Sequence, residues 1–450
     1  MTANNILGTR ALVIGAGAGG ILAAGALSRH FSEVVVIEKD VFPSEATFRK
    51  GVPQGPHGHL LLKRGENISE AFFPGFRDAL ISAGGIELGM DKDMARYSFG
   101  KWSKPVRSDI MLLSQTRPLF EQVLRESLLK TPNVSIKTQT RFSDFIFESG
   151  AVQGIVVEGS DGALERLEAD LVIDASGRAT KTPRWLEDNG FGAVQTDRLG
   201  IDLCYVTGVF AAKDFEDGRP KLSAIGETPP AVRGGVALPV EGNRWMVTLS
   251  GRGDDVPSTD LEQFLAFAKA LPDPVVYDRI ANAPLEGNLR RFKIPESFWR
   301  RYESLPQFPD GLLPLGDAIA GFNPVFGQGM AVAAVDAEQL AEVLEARTTA
   351  NGGLTELHKD YLPKVSKVIQ EAWEGTATFD LLYEATKGVR PEDYPQRRAI
   401  FLAIQDLSDD DEDLRRKLFE VGNMLIPRES LFDADLVARI RERVEDSFTS

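Results

Sequence analysis

The chain has 450 residues, a net charge of −15, 43% apolar residues and 26% charged residues, a composition typical of a soluble globular protein of more than one domain. The acidic balance argues against nucleic acid or an anionic membrane as a partner, because both require a basic surface. The lone Cys204 excludes a disulfide framework, and with four histidines the chain has too few ligands for a structural zinc site, so no metal is expected.

Residues 11–27, ALVIGAGAGGILAAGAL, have the composition of a signal-peptide core or a short membrane span. The run is short for a span, however, its glycines have the spacing of a nucleotide-binding turn, and another apolar strand follows at once. We therefore expect a cytoplasmic protein with no membrane span.

The first 195 residues alternate strand and helix patterns, beginning with a βαβ unit at residues 10–38. Residues 48–59 are too rich in Gly and Pro for regular structure and form a shaped loop. The expected strands are Ala11–Ile14, Glu33–Glu38, Val134–Ile136, Asp144–Glu148, Val152–Glu158 and Leu171–Ile173. The expected helices are 18–28, 60–73 and one starting at Pro118.

The turn in the βαβ unit has the pattern Gly15-x-Gly17-x-x-Gly20. The first glycine permits a tight turn, the second lets the backbone approach a pyrophosphate, and the third lets helix and strand pack closely. A diphosphate would then lie at the helix N-terminus, and Glu38 would accept hydrogen bonds from the adenosine ribose. A flexible turn with a surface glutamate is the alternative, but the spacing favours a dinucleotide site.

The pattern changes after about residue 195. Ile201–Ala212 and Gly234–Val240 alternate like half-buried strands, and the second joins Arg244–Leu249 through a hairpin turn. These segments predict a mainly antiparallel sheet on the substrate side. After residue 345, a linker at 348–353 leads to a helical tail, in which the acidic run Asp409–Asp413 is a solvated turn or a helix start.

Gly316-Asp317 follows the expected strand Leu312–Leu315, and a helix is expected to start near Gly329. The Asp317 carboxylate is placed to bond the ribityl hydroxyls of a flavin. The helix would aim its positive end at the pyrimidine edge of the ring, which becomes negative on reduction. This segment indicates FAD rather than NAD; the alternative is a strand-to-helix loop capped by Asp317.

These patterns predict an α/β fold with a Rossmann-like FAD-binding domain, an inserted antiparallel-sheet substrate domain and a C-terminal helical region. The FAD-binding domain would comprise residues 1–75, 111–195 and 296–345. The substrate side would comprise 76–110 and 196–295, and the helical region 346–450.

The three glycine-bearing segments, in this order, resemble the single-FAD aromatic hydroxylase superfamily of the para-hydroxybenzoate hydroxylase fold, over residues 8–345. Residues 49–54 (RKGVPQ), the pair His57 and His59, and residues 322–327 (FNPVFG) are similar to flavin-dependent epoxidases of bacterial polyether and polyketide biosynthesis. Pro56 and Gly58 depart from that family, which puts the reach of the loop and the substrate in doubt.

The resemblance implies a monooxygenase that inserts one oxygen atom from molecular oxygen into an alkene or aromatic ring through a flavin C4a-hydroperoxide. Its substrate would be a hydrophobic, natural-product-like small molecule. The resemblance also places Asp174-Ala175-Ser176-Gly177-Arg178 near the FAD pyrophosphate and makes Arg117 an FAD contact. The residues expected to bind the cofactor are Gly15, Ala16, Gly17, Ala18, Gly19, Gly20, Glu38, Lys39, Arg49, Arg117, Asp174, Gly316, Asp317, Pro324, Gly327, Gln328, Gly329 and Met330.

In such a reaction the cofactor carries the oxidising chemistry, while the protein orients the substrate and excludes water. No Ser-His-Asp or Cys-His set is apparent in the sequence. The residues expected near the reacting atoms are Gln54, His57, His59, Phe322 and Pro324. The alternative for both histidines is that they bond the backbone and hold the loop in shape.

The sequence holds one complete nucleotide fingerprint. NAD(P)H would therefore bind transiently in the same cleft, or a separate flavin reductase would supply the electrons. A halogenase of this architecture has two Trp separated by one residue before Ile-Pro, and no two tryptophans here are so placed. Three further alternatives are a flavin-dependent reductase of prenyl double bonds, an FAD-binding cyclase that positions a polyene without redox chemistry, and a flavin sensor, which would need an output module.

Overall fold

The structure is a computed structural model that describes residues 6–212, 215 and 218–449. The strands are β1 (Gly8–Ile14), β2 (Phe31–Ile37), β3 (Ile86–Gly89), β4 (Met94–Ser98), β5 (Lys101–Trp102), β6 (Met111–Ser114), β7 (Val134–Lys137), β8 (Arg141–Glu148), β9 (Ala151–Glu158), β10 (Leu164–Glu168), β11 (Leu171–Asp174), β12 (Thr196–Ala211), β13 (Leu222–Ile225), β14 (Gly234–Val240), β15 (Arg244–Arg252), β16 (Leu285–Arg300), β17 (Leu312–Pro314) and β18 (Ala320–Gly321).

The α-helices are α1 (Ala18–Leu27), α2 (Lys63–Phe72), α3 (Phe76–Ser82), α4 (Arg117–Leu128), α5 (Thr182–Asp188), α6 (Leu261–Lys269), α7 (Val275–Ile280), α8 (Gly329–Thr349), α9 (Leu357–Asp380), α10 (Tyr394–Leu407), α11 (Glu412–Gly422) and α12 (Ala434–Thr449). Short 3-10 helices lie at Gly177–Ala179, Tyr302–Ser304, Gly316–Ala318, Pro324–Phe326 and Arg428–Leu431.

Five parallel strands in the order β17-β11-β1-β2-β7 form the first sheet. Ala11, Leu12 and Val13 of β1 are fully buried, as expected for a parallel sheet covered on both faces. Helix α1 buries every residue except Gly19, because it packs between this sheet and α8. The predicted α/β fold is confirmed, and the strands of this sheet come from widely separated parts of the chain.

The second large sheet has eight strands in the order β18-β16-β12-β15-β14-β13-β4-β5, and its pairs are antiparallel except β13 with β4. This confirms the predicted antiparallel sheet. One face packs against α6 and α7, through Val206, Val247 and Leu249 against Phe264 and other apolar residues. The opposite face contacts His57 and Gly58 and the end of α9.

Sequence analysis overlooked β16, which runs for 16 residues beside β12. Most of its side chains between Leu285 and Lys293 are exposed or half-buried, and Pro295 interrupts its pattern. Pro295 lies where the register with β12 shifts and before the contact of β16 with β18 begins, so its missing N–H is tolerated. The predicted domain boundary at residue 295 falls inside this strand.

The C-terminal region is helical, and α9 packs along α8. Helices α10, α11 and α12 enclose a small apolar core of their own. The acidic run is a helix start, because Asp411 is the N-cap of α11 and accepts a hydrogen bond from the Leu414 N–H. Among the described residues, no helix combines the length and the apolar character needed to cross a membrane.

Candidate cofactor and substrate site

Three glycine-bearing turns meet at the carboxyl edge of the parallel sheet, after β1, β11 and β17. A Cβ atom placed on Gly15 would lie 2.7 Å from the carbonyl oxygen of Ala175. One placed on Gly177 would lie 3.9 Å from the Cβ of Asp317. Because ligands of open parallel sheets bind outside the carboxyl ends of the strands, these turns outline one site.

The three glycines of the first turn have different environments. Gly15 has a φ of +99°, and a Cβ on Gly20 would lie 1.9 Å from the Gly15 carbonyl oxygen. Gly17, in contrast, has an ordinary φ of −75°, and a Cβ there would meet nothing within 4 Å. As the N-cap of α1, Gly17 supplies no side chain to cap the helix, and the first turn has no acidic residue. The turn therefore leaves room and a positive helix end for an anion.

Glu38 lies against this turn and is almost completely buried. Its Oε2 accepts hydrogen bonds from the Ala16 N–H at 3.1 Å and from Arg49 Nη1 at 2.8 Å. Its Oε1 accepts one from the Asp40 N–H at 2.9 Å. Arg49 also donates to the Ala16 carbonyl oxygen at 2.9 Å. The loop at residues 48–59 is thus tied to the glycine turn by Arg49.

Glu121 of α4 links the two predicted arginine contacts. Its carboxylate accepts a hydrogen bond from Arg49 Nε at 3.1 Å and another from Arg117 Nε at 2.8 Å. Burial opposes ionisation of Glu121, but the charges of Arg117 and Arg49 outweigh it and lower its pKa. Sequence analysis missed this residue, since a glutamate in the first turns of a helix is indistinguishable from a surface residue.

Asp317 lies at the third turn, and its side chain is 37% exposed, as expected for a group on the wall of an open cleft. The protein around the carboxyl group desolvates it and raises the pKa of Asp317, while the charges of Arg178, Arg117 and Arg300 act in the opposite direction. The Nε of Arg178 lies 3.6 Å from Asp317 Oδ2. A Cβ on Gly329, the first residue of α8, would lie 4.0 Å from Asp317 Oδ1, so the carboxylate stands beside the start of that helix.

The start of α8 is uncapped, like that of α1. Gln328 is its N-cap residue but makes no side-chain capping bond, and the first turn has no acidic residue. The buried Oε1 atom of Gln328 has no hydrogen-bond partner. An unpartnered buried acceptor and a positive helix end beside Asp317 are the groups expected at a site that binds a polar ring.

The comparisons with known proteins agree with this geometry. A sequence model of the FAD dependent oxidoreductase family matches residues 11–181. Protein Rv3254 of Mycobacterium tuberculosis is 32% identical over 384 residues, which cover 83% of this chain and 80% of that protein. The chain belongs to the FAD-dependent oxidoreductases.

Two further proteins resemble this flavoprotein more distantly. Squalene monooxygenase 1,1 of Brassica napus is 24% identical over 341 residues, which cover 74% of this chain and 62% of that protein, so the chain spans less than two thirds of its length. The structure of p-nitrophenol 4-monooxygenase PnpA from Pseudomonas putida DLL-E4 has a TM-score of 0.65 at 19% identity, covering 94% of this chain and 99% of that one. The fold is the predicted para-hydroxybenzoate hydroxylase type.

Asp174 of the flavoprotein is buried and fully engaged within its own turn. Its Oδ1 accepts hydrogen bonds from the N–H of Ser176 at 3.0 Å and from its hydroxyl at 2.5 Å. Its Oδ2 accepts from the hydroxyls of Thr180 and Thr182. The structure therefore shows Asp174 shaping the turn that carries Gly177; contact with FAD stays a prediction.

Asp336 of α8 is a second residue that sequence analysis missed. It is fully buried, and its Oδ2 accepts a hydrogen bond from the Gly316 N–H at 3.0 Å. Burial raises its pKa to about 8. An aspartate inside the otherwise apolar stretch of residues 330–337 is a signal that could have identified it.

The remaining predicted cofactor and loop residues differ in burial. Lys39 is exposed, Phe322 is buried in the core, and Pro324, Gly327 and Met330 are half-buried. We call residues 322–328, which lead into α8, the flavin loop.

His57 and Gly58 of the shaped loop, and Leu60 directly after it, contact the face of the antiparallel sheet that lies opposite α6 and α7. The Nδ1 atom of His57 lies 2.8 Å from the Thr207 hydroxyl, which lies 2.7 Å from the Thr248 hydroxyl. The Gly58 N–H donates to Thr248 Oγ1 at 3.2 Å. Gln54 is half-buried, and its carbonyl oxygen accepts a hydrogen bond from the His57 N–H at 3.0 Å. The loop is therefore fastened to the sheet by a row of hydroxyl groups.

Both histidines are neutral near pH 7. Burial lowers the pKa of His57 to about 4 and, together with the charge of Arg117, that of His59 to about 3. His59 Nδ1 lies 2.7 Å from the His57 carbonyl oxygen; since a carbonyl only accepts, Nδ1 carries the proton. These contacts favour the alternative in which the histidines hold the loop in shape.

The sheet face that contacts His57 carries a polar row that sequence analysis missed. The pairing places Thr207 opposite Thr248 and Tyr205 opposite Ser250 on neighbouring strands, and the His57 ring lies 5.7 Å from that of Phe292. Thr248, Ser250 and Arg252 alternate along β15, and that period of two was available in the sequence.

We predict that Gly17→Val abolishes FAD binding without unfolding the protein. The backbone at Gly17 has a φ of −75° that valine adopts, and no protein atom lies within 4 Å of the new Cβ, so the side chain would collide only with a bound diphosphate. FAD content per chain should fall at least about tenfold, while the far-ultraviolet circular dichroism spectrum stays unchanged. Gly353→Val, at another glycine with open space, is the control and should retain FAD. A yellow Gly17→Val protein would contradict the assignment.

A second prediction concerns acid stability. The pKa of His57 is about 4 in the folded protein, against the ordinary histidine value of 6.5, so the unfolded chain binds more protons between these values. Above pH 6.5 His57 is neutral in both the folded and the unfolded chain. As the pH falls towards 4, only the unfolded chain takes up the proton, and this lowers the free energy of unfolding. The difference in free energy of unfolding between the wild type and His57→Gln should therefore shrink, by up to about 1.4 kcal/mol per pH unit. Urea titrations from pH 7 to 4.5 measure it, and a constant difference would show that His57 titrates normally.

Proposed function

We propose that the protein is an FAD-dependent monooxygenase that inserts one oxygen atom into an apolar, natural-product-like substrate, by epoxidation or hydroxylation. The observation that carries the proposal is the position of the sheet face contacted by residues 57–60. This face lies close to the flavin loop: a Cβ on Gly327 would be 3.7 Å from the Leu60 carbonyl oxygen, and Arg252 of the sheet and Asn323 of the loop both donate to Asp380 Oδ1. The names of the squalene and p-nitrophenol monooxygenases support the same reaction type.

The residues of the cleft fit FAD. The turn at Gly15–Gly20 and the start of α1 would hold the diphosphate. Glu38 would bind the adenosine ribose, and Asp317 the ribityl chain. The start of α8 would stabilise negative charge at the pyrimidine edge of the ring. Reduced FAD supplies the oxygen-activating chemistry when it is bound.

The protein contributes orientation and exclusion of water. Residues 57–60 cover part of this sheet face, and the hydroxyl row lies between two apolar clusters, one with Tyr205 and Phe292 and the other with Val236 and Leu238. Neutral His57 and His59 add no charge that would hold water at this face. Epoxidation of an alkene needs no protein base. This is consistent with a role of both histidines in holding the loop in shape rather than in proton transfer.

We further propose the predicted division of the chain with one change: an FAD-binding domain at residues 1–75, 111–195 and 301–345, a substrate domain at 76–110 and 196–300, so that β16 stays whole, and a helical region at 346–450. Electrons would come from NAD(P)H bound transiently in the cleft or from a separate reductase. Anaerobic mixing of the FAD-loaded protein with NADPH distinguishes the two sources, because direct reduction bleaches the flavin without any other protein.

Asp317→Ala should lose FAD, because its carboxylate is proposed to hold the ribityl chain. The ratio of flavin to protein absorbance after purification measures the loss, which should reach at least about tenfold, the size of a hydrogen bond to a charged group. Asp188→Ala, at an exposed carboxylate of α5 paired with Arg184, should keep full FAD. A fully yellow Asp317→Ala protein would reject the proposed role.

The reaction itself is tested by isotope labelling. The FAD-loaded protein is reduced with dithionite, and the excess reductant is removed. It is then mixed with ¹⁸O₂ and either squalene or p-nitrophenol, and mass spectrometry measures the mass of the product. We expect one ¹⁸O atom per product molecule, and none when Asp317→Ala replaces the wild type. An unlabelled isomer of squalene would indicate a non-redox cyclase, and a brominated product in the presence of bromide would indicate a halogenase.

A further inference from the structure

Asp380, the last residue of α9, joins three distant parts of the chain. It is fully buried, and its Oδ1 accepts hydrogen bonds from Asn323 Nδ2 at 2.7 Å and from Arg252 Nη2 at 2.9 Å. Arg252 ends β15, and its Nε donates to Glu227 Oε2 at 2.7 Å. One carboxylate oxygen therefore binds the antiparallel sheet and the flavin loop at once.

Asn323 is fixed at both ends of its side chain. It is completely buried, and while its Nδ2 donates to Asp380, its Oδ1 accepts a hydrogen bond from the Val325 N–H at 3.1 Å. This second bond caps the 3-10 turn Pro324–Phe326, directly before α8 begins. The conformation of the flavin loop thus depends on an amide whose orientation Asp380 sets.

A ring contact runs beside the polar one. Phe326 of the flavin loop meets Phe379 edge to face, with 5.4 Å between the ring centroids. The side chains of Phe379 and Asp380 are adjacent in sequence and reach the same loop, one through an aromatic contact and one through a hydrogen bond. The end of α9 therefore holds the loop at two points.

Global stability gives little reason to retain this cluster. Asp380 Oδ2, Glu227 Oε1 and Arg252 Nη1 are buried and have no hydrogen-bond partner, which is costly. Burial raises the pKa of Asp380, and Arg252 opposes that shift. A buried ion set with unsatisfied atoms is weak support for a fold, and apolar residues of similar volume often serve as well. What such a set provides is a defined position for the groups it binds.

We propose that Asp380 is a positioning residue for the cofactor: together with Arg252 it fixes Asn323, and through it the flavin loop and the start of α8 against the flavin ring. The C-terminal helical region would thereby form part of the cofactor site. The inference rests on the proposed function only in assigning the flavin loop to the ring; it requires neither a substrate nor a reaction with oxygen.

The test compares two aspartates of the same helix in the FAD-loaded protein. Asp380→Leu removes the bond to Asn323, whereas the control Asp360→Leu removes a carboxylate near the other end of α9 that pairs with Arg347 at 2.5 Å. Hydrogen–deuterium exchange of a peptide spanning residues 322–328 should accelerate about tenfold or more in Asp380→Leu, as expected for the loss of a hydrogen bond to a charged group. Asp360→Leu should leave that peptide unchanged.

The flavin supplies an independent measurement. With α8 less firmly aimed at the ring, the reduced anion is stabilised less, so the reduction potential of Asp380→Leu should shift to more negative values. The conservative variant Asp380→Asn should keep both the exchange rate and the potential near their wild-type values, because an amide oxygen still accepts the bonds from Asn323 and Arg252. A residue that only supported the fold would lower the melting temperature without moving the potential.

Two outcomes overturn the proposal: unchanged exchange and potential in a folded Asp380→Leu protein, or an equal change in Asp360→Leu. If Asp380→Leu does not fold, Asn323→Ala removes the same bond from the side of the loop while Asp380 keeps Arg252, and the same two measurements decide. Failure of oxygen insertion with these results intact would reject the proposed function and leave the positioning role standing.

Discussion

The close packing of α1 on β1 is the constraint on which the cofactor site depends. A side chain at Gly20 would place its Cβ 1.9 Å from the Gly15 carbonyl oxygen, so only glycine lets the helix start directly above the strand. That position points the positive end of α1 along the carboxyl edge of the sheet. The turns after β11 and β17 then complete the cleft, because both strands run parallel to β1 in the same sheet.

The buried charges beside the first glycine turn are paired with one another. Glu38, Arg49, Glu121 and Arg117 form one buried chain of ion pairs, in which each carboxylate contacts at least one guanidinium. The interaction within the chain offsets the desolvation of its members and holds the loop at residues 48–59 in place. Neutral groups, namely hydroxyls and two uncharged histidines, instead form the contact between the loop and the antiparallel sheet, which suits the apolar ligand that we propose there.

The sequence was sufficient for those parts of the fold that have a local signal. Glycine spacing identified the first turn, alternation identified β12 and β14, and a hairpin turn identified β15, because each signal depends on residues that are neighbours in the chain. The strand β16 was missed because Pro295 and its charged side chains are tolerated only at that place in the sheet. Glu121 and Asp380 were missed because their partners, Arg49 and Asn323, lie 72 and 57 residues away in the chain. Only the folded structure shows that these residues are in contact.

The C-terminal helices show why a local reading underestimates a site. Taken alone, residues 346–450 have no motif and read as an appendage to the cofactor domain. Helix α9 nevertheless packs along α8, whose first turn faces the cleft, and ends with Phe379 and Asp380 against the flavin loop. A helix that buries one end at a cofactor loop and the rest along the neighbouring helix couples the two rigidly. The boundary between scaffold and site therefore runs through α9 rather than in front of it.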